Sequence, residues 1–190
     1  MPVPDFSPGE VLTAAAMDSI GLWLIETKDV TTAGTIDFTS VFSSNYSGYR
    51  LNFEYTQVTT NGNINFQFRD SGGAIGTSTY LNNWSGQYTA GGVPTLAGYS
   101  YNTSAITAAF LCNCVVGSKT SGQLDFFNPT SATPTHAVGA WASIQASPTV
   151  AQVAVFGNIT HNASVARTGI RLTTSAGTVT GKFSLYGYRN

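Results

Sequence analysis

Over most of the chain, hydrophobic and polar positions alternate with a period of two, which is the pattern of β-strands that bury one face. Residues 49–55 follow this alternation, with aromatic side chains and a leucine at every second position, and residues 63–69 repeat it. Between them lies Asn61-Gly62, and Asn-Gly is a strong signal for a two-residue hairpin turn. Residues 49–69 are therefore predicted to form a β-hairpin.

Later segments have the same character and are separated by turn residues such as Gly122 and Gly177. The run 137–145 is small and apolar, as expected for a strand buried in a sandwich or in a subunit interface. Further strands are predicted over residues 105–117, 122–127, 138–147, 150–160, 168–174 and 178–188.

Residues 82–104 interrupt this regularity, since they are rich in Asn, Gly, Tyr and Trp. They are predicted to form a long exposed loop with short strands at best, and long loops often carry function. Many short strands without an internal repeat predict an all-β protein. The best-fitting architecture is a jelly-roll-like antiparallel β-sandwich over residues 22–190.

Residues 1–21 are predicted to be a separate N-terminal arm. The first ten residues contain three prolines and lack the basic and apolar regions of a secretory signal. Apolar positions then recur at helical spacing from residue 12 to residue 20, which predicts one short helix. Such a short helix is marginal in water, so its apolar side chains need a surface on the body or on a partner. The expected anchors are Phe6, Leu12, Met17 and Ile20.

Composition supports a β-protein with covered surfaces. Only 9% of the 190 residues are charged, against about 25% in typical soluble domains. A surface with so little charge is poorly protected against association, so we expect partners to cover much of it. The net charge of −1 argues against nucleic acid as a partner. No apolar stretch is long enough for a membrane span.

The residues that commonly carry catalysis are sparse. His136 and His161 are the only histidines, and no Gly-x-Ser-x-Gly motif presents a nucleophile. Asp125 is the only carboxylate after Asp70, which leaves little for the paired acids of a glycosidase. The Cys-x-Cys pair at residues 112–114 lacks further ligands nearby and reads as two buried thiols. We therefore predict no enzymatic activity, no cofactor and no metal.

Carbohydrate binding is harder to exclude, because lectin-like sites need exposed aromatic faces and small polar groups rather than charge. The stretch 82–104 contains both. The alternative is that its aromatic residues pack inside the protein or against another subunit, which is the commoner fate of large rings. The candidate contacts to a host glycan are Trp84, Tyr88, Tyr99 and Tyr101.

Two segments resemble tailed-bacteriophage virion appendage proteins. Residues 4–21, PDFSPGEVLTAAAMDSIG, resemble a phrase common near their N-termini, F-x-x-G-E/Q-V-L-T-A-A, although Asp18 and Ser19 stand where an Asn is usual. Residues 177–190, GTVTGKFSLYGYRN, look like the closing strand of many small phage virion proteins. The two segments cover roughly a sixth of the chain.

The resemblance implies a virion structural protein, often trimeric, with a jelly-roll body behind a short N-terminal anchor and no catalytic residues. We therefore expect a homotrimeric tail or tail-fibre component, made in the bacterial cytoplasm and active in host attachment. Its partners would be itself, other virion proteins through residues 1–21, and a host-surface glycan or protein. The alternatives are a capsid decoration or head-fibre protein and a lectin-like carbohydrate-binding module.

Overall fold

The computed structural model describes residues 21–57, 59–70, 80–90, 93–102, 109–144 and 150–189. They form twelve strands: β1 (Leu22–Ala33), β2 (Thr35–Phe38), β3 (Tyr46–Gln57), β4 (Gly62–Asp70), β5 (Tyr80–Ala90), β6 (Val93–Asn102), β7 (Ala109–Cys114), β8 (Lys119–Phe127), β9 (Thr135–Ile144), β10 (Val150–His161), β11 (Arg167–Thr174) and β12 (Val179–Arg189). The described residues contain no helix, and the predicted all-β class is confirmed. The predicted arm helix lies outside the described residues.

The strands form two antiparallel sheets. One has eight strands in the order β1-β12-β3-β8-β9-β10-β5-β6, and the other has four in the order β2-β11-β4-β7. We call the side of the eight-stranded sheet that faces away from the four-stranded sheet its outer face. Strands β1 and β6 form the edges of the larger sheet.

The predicted hairpin over residues 49–69 is wrong, because β3 and β4 belong to different sheets. Neither Asn61 nor Gly62 has the positive φ that the predicted turn requires. The Asn61 side chain instead accepts a hydrogen bond from the Val116 amide at 2.8 Å. Both strands carry large aromatic residues on one face, so each buries more surface by facing the other across the core than by pairing with it.

The predicted loop over residues 82–104 is also wrong. Strand β5 pairs with β6 over ten residue pairs, including Trp84 with Tyr99 and Asn82 with Tyr101. The two-residue period exists in β5, where Tyr80, Asn82 and Trp84 are buried while the alternate positions are more exposed. Asn82 is a polar residue at one of the buried positions, so the sequence of β5 does not show a regular alternation of apolar and polar residues.

The two glycines that were predicted to mark turns differ in outcome. Gly177 lies in the turn between β11 and β12 with a φ of +70°, a conformation that favours glycine. Gly122 lies inside β8 instead. A Cβ atom at position 122 would lie 2.5 Å from Cβ of Trp141 and 2.8 Å from Cζ of Phe53, so this glycine makes room for neighbouring side chains.

Aromatic rings join the two sheets. Phe66 of β4 stacks on Phe126 of β8 with ring centroids 5.4 Å apart, and Phe68 of β4 stacks on Tyr80 of β5 at 6.5 Å. All four rings are fully buried. Aromatic side chains bury large apolar areas, so these contacts pack the sheets face to face around one core.

The two ends of the sheets carry different loops. At one end, called here the arm end, β1 begins at Leu22 and the connections 39–45, 128–134 and 162–166 meet. At the opposite, distal end, hydrogen bonds tie connections to the ends of β3 and β4. The Gly117 amide donates to the Gln57 carbonyl at 2.9 Å, and the Ser175 amide donates to the Asn63 carbonyl at 2.8 Å.

Candidate functional site

Among the residues whose side chains the structure describes, five large apolar ones are exposed on the outer face of the eight-stranded sheet. Their exposed fractions range from 38% at Leu22 to 66% at Phe156. We call this set the apolar band, and its members are Leu22, Leu24, Phe127, Val138 and Phe156. They belong to four strands, β1, β8, β9 and β10.

The strand register explains how the band crosses the sheet. Leu22 lies opposite Tyr188, Tyr188 opposite Gly48, and Gly48 opposite Phe127, so one row runs over β1, β12, β3 and β8. A Cβ atom on Gly48 would lie 3.3 Å from Cδ2 of Tyr188 and 4.0 Å from Cδ1 of Phe127. The rings of Tyr188 and Phe127 thus approach each other over this glycine.

An ion pair lies next to this row. The Arg50 guanidinium donates two hydrogen bonds to the Asp125 carboxylate, at 2.7 and 2.8 Å. The Tyr188 hydroxyl donates to the same carboxylate at 3.0 Å, and the guanidinium lies 5.6 Å from the Tyr188 ring centroid. The hydrogen bonds to Asp125 raise the pKa of Arg50. Asp125 is therefore held in a structural pair, and its charge is neutralised within the band.

Nearer the distal end, the outer face contains an open polar depression of about 650 Å³. Its lining combines short side chains such as Ser121 and Ser184 with longer ones. The polar and charged lining residues include Asp29, Asn52, Glu54, Ser121, Lys182 and Tyr186. They come from β1, β3, β8 and β12.

The charged residues of the polar depression form exposed ion pairs. The Lys182 ammonium lies 4.0 Å from the Asp29 carboxylate, and both side chains are more than half exposed. Glu54 pairs with Lys119 at 2.5 Å. Exposed pairs of this kind add little to stability, typically about 0–1 kcal/mol. Their side chains can therefore reorient towards a ligand at small energetic cost.

The aromatic candidates from the sequence lie in the β5–β6 hairpin. Trp84 is only 3% exposed, and its ring packs edge-on against Trp141 with centroids 4.2 Å apart. Its indole is therefore part of the core and is not available to a glycan. Tyr88 pairs with Thr95 in the strand register, whereas Tyr99 and Tyr101 pair with Trp84 and Asn82. The side chains of these three tyrosines, like the anchor candidates Phe6, Leu12, Met17 and Ile20, lie outside what the structure describes.

The two histidines have different surroundings. His136 is exposed, and its Nδ1 lies 3.1 Å from the Thr160 hydroxyl. His161 is buried beside Tyr80, with ring centroids 4.3 Å apart, and its Nδ1 contacts the Arg167 guanidinium. His161 is thus a core residue in contact with a cation.

Arg167 is a buried residue that the sequence reasoning missed. Its side chain donates to the Ala163 carbonyl at 3.1 Å, and its backbone amide donates to the Pro129 carbonyl at 2.7 Å. Burial lowers the pKa of Arg167 and raises the pKa of Tyr80. The position of Arg167 at the start of β11 lets it fasten two arm-end connections, which is a structural role that no sequence pattern signals.

Within the described ranges, no group of three or more His, Cys, Asp or Glu side chains is arranged to hold a metal ion. No helix with the length and apolar character of a membrane span occurs in the same part of the chain. Cys112 and Cys114 lie in β7, opposite Ile64 and Gly62 of β4.

No protein-family model matches this chain, and no curated protein matches it in sequence. The apolar band and the polar depression are therefore the features from which a function is inferred.

Proposed function

We propose that the protein is a structural component of a tailed-bacteriophage virion, a homotrimer that takes part in host attachment on the tail or its fibres. In this proposal residues 1–21 attach the chain to other virion proteins. The apolar band forms the contact between copies. The resemblance of residues 4–21 and 177–190 to phage appendage proteins suggests the class of virion structural proteins. The apolar band is the structural observation that supports assembly of the chain with other copies.

The strand order supports a jelly roll as the body of this component. The four strands β1-β12-β3-β8 oppose the four strands β2-β11-β4-β7. In a jelly roll, a long ribbon of paired antiparallel strands wraps around itself and forms two sheets with this strand order. Two antiparallel pairs, β5–β6 and β9–β10, extend the larger sheet beyond this set. They add outer-face surface, and β9 and β10 contribute Val138 and Phe156 to the apolar band.

The apolar band has the character of an interface. Exposed apolar patches on soluble proteins often mark binding surfaces, and the five side chains of the band lie on one face of one sheet. Leu24 and Phe156 are both more than half exposed. The neighbouring charges of Arg50 and Asp125 neutralise each other, so burying them against another copy leaves no unpaired charge.

Pairing between sheet edges is a less suitable mode of assembly. In the edge strand β1, Glu26 and Lys28 lie opposite Leu185 and Phe183, which are buried core residues. Glu26 and Lys28 form a 2.5 Å ion pair, and the Lys28 ammonium lies 5.9 Å from the Phe38 ring centroid. Charges on the core side of an edge strand oppose the addition of another strand. This favours assembly through the outer face.

Incorporation into particles tests the proposal. Particles of the phage that encodes the chain would be purified on a density gradient, and the chain would be quantified per particle by mass spectrometry. The proposal expects the full chain to be present, and a chain lacking residues 1–21 to be absent while still folded. A full-length Gln123→Ala chain serves as control, because Gln123 is exposed and outside both the band and the depression.

Absence of the full chain from purified particles would overturn the proposal, and normal incorporation of the truncated chain would overturn the role of the arm. Antibody labelling of the particles then separates tail from head. Labelling on the head would replace the tail assignment with the capsid decoration or head-fibre alternative.

A further inference from the structure

We infer that the polar depression is a binding site for a neutral oligosaccharide, held through Asn52 and Glu54 and by stacking on Tyr186. The binding itself is argued from the residues of the depression. Only the source of the saccharide, a host surface, rests on the proposed function. The site differs from the aromatic cluster of the β5–β6 hairpin, since it lies on β1, β12, β3 and β8.

The depression offers unused hydrogen-bonding groups. The hydroxyls of Thr27 and Ser184 are engaged with each other at 3.0 Å. Within the described part of the chain, by contrast, the side chains of Asn52, Ser121 and Tyr186 make no hydrogen bond to another residue. An amide offers a donor and an acceptor side by side, which matches two adjacent hydroxyls of a sugar ring.

The charges favour a neutral ligand. Asp29 and Glu54 supply two carboxylates to the lining, and Lys182 supplies one ammonium. Carboxylates accept hydrogen bonds from sugar hydroxyls, and such charge-assisted bonds are stronger than neutral ones. Lys182 lies near Asp29 and Lys119 pairs with Glu54, so these four charges balance. A neutral polyol can donate to the carboxylates without disturbing this balance, whereas an acidic saccharide or a phosphate group would compete with them for the two ammonium groups.

The shape and position of the depression fit an oligosaccharide. Its volume of about 650 Å³ lies within the usual range of small-molecule sites, roughly 300–1,000 Å³. Tyr186 is half-buried and forms the wall nearest the arm end, where it lies opposite Leu24 of the apolar band. Its ring offers an apolar surface for the C–H face of a sugar.

Binding to the purified full chain tests this inference. The fluorescently labelled protein would be applied to an array of neutral glucose, galactose and N-acetylglucosamine oligosaccharides, with acidic oligosaccharides alongside. The best hit would then be titrated by calorimetry. We expect Asn52→Ala and Tyr186→Ala each to weaken binding by about tenfold or more, since each removes a contact worth roughly 1–2 kcal/mol. Gln123→Ala is the matched control, because Gln123 lies opposite Asn52 on β8 but outside the depression.

The outcomes separate this inference from the proposed function. No binding to any neutral oligosaccharide, or preferential binding to acidic ones, overturns the inference. If binding survives both Asn52→Ala and Tyr186→Ala, or if Gln123→Ala weakens it equally, the saccharide does not bind in the depression. Circular dichroism would verify that each variant is folded, and Tyr186→Phe, which keeps the ring, should retain most of the affinity. Particle incorporation does not involve the depression, so it should be normal for Asn52→Ala even if no saccharide binds.

Discussion

Gly157 of β10 lies directly opposite Trp84 of β5, and the Trp84 indole fills the space that a side chain at position 157 would occupy. A Cβ atom at position 157 would lie 1.8 Å from Cε3 of Trp84 and 2.3 Å from the Asn83 carbonyl oxygen. The indole also packs edge-on against Trp141. Trp84 lies over Gly157, and Trp141 lies beside Gly122. These two tryptophans therefore join strands β5, β9 and β10, which extend the larger sheet.

Gly157→Ala should therefore be strongly destabilising. The added methyl group meets both a buried ring and a backbone carbonyl, so the strands must shift, and we expect a loss of about 3 kcal/mol of unfolding free energy. Urea denaturation followed by tryptophan fluorescence measures this loss. Gly34→Ala is the control, because its Cβ atom would make an ordinary 3.6 Å contact with the Thr174 hydroxyl. Equal stability of the two variants would contradict the packing described here.

The Tyr49 hydroxyl is expected to hold the connection between β2 and β3. It donates to the Ser43 carbonyl at 2.8 Å and accepts from the Ser43 amide at 2.5 Å, and burial raises the pKa of Tyr49. Tyr49→Phe leaves both backbone groups without this partner and should cost roughly 1–3 kcal/mol in thermal or urea unfolding. Tyr46→Phe is the matched control, since no hydrogen bond of the Tyr46 hydroxyl is described. A cost for Tyr49→Phe no larger than that of the control would refute the assignment.

The protein should lose stability in acid, because protonation of Asp37 removes a stabilising interaction. Hydrogen bonds from Arg171 at 2.7 and 2.6 Å and from Arg69 at 2.9 Å hold the pKa of Asp37 below its ordinary value of 3.8. A carboxylate whose pKa is lower in the folded state stabilises the fold fully above pH 4 or so, and this contribution is lost as the pH falls through the folded-state pKa.

Asp37→Asn tests this dependence. The variant should lose about 1 kcal/mol of unfolding free energy at pH 7, and the difference from the parent should shrink as the pH falls below about 4. The measurement is the urea midpoint between pH 2.5 and pH 7. Asp29→Asn is the control, because the Asp29 side chain is 75% exposed and lies 4.0 Å from its nearest cation, Lys182. If the difference in unfolding free energy between Asp37→Asn and the parent stayed the same from pH 2.5 to pH 7, Asp37 would not be the source of the pH dependence.

The sequence predicted the positions of the strands better than the pairing between them. Alternation located β3 and β4, yet it carries no information on whether adjacent strands pair or oppose each other across a core. The Asn61 side chain is committed to the Val116 amide, a contact between residues far apart in sequence. The β5–β6 hairpin was missed because a buried asparagine, Asn82, occupies a core position that composition assigns to a loop.

The candidate site was less predictable still. The apolar band combines residues of four strands that adjoin only through the sheet order, and none of its members is unusual in its own segment. Trp84 was a candidate glycan contact with burial as the favoured alternative, and its position opposite Gly157 does bury it. Face assignment depends on register, which a single sequence does not contain.

Substitution of the apolar band should weaken assembly without unfolding the chain. Leu24→Ser and Phe156→Ser each remove a side chain that is more than half exposed, so we expect the circular dichroism spectrum of the folded chain to be kept and association to be at least tenfold weaker. Val165→Ser is the control, because Val165 is 42% exposed in the connection between β10 and β11 and lies outside the band. Sedimentation velocity over a concentration series measures the effect. Association that is equally strong in all three variants would exclude the band as the interface.

The most direct test of the account is the solution mass of the full-length protein, measured by multi-angle light scattering at micromolar concentration. The proposed function, with the apolar band as the contact between copies, expects a homotrimer with a mass three times the 20.0 kDa of the chain. A single species of 20.0 kDa at every concentration would contradict the central claim.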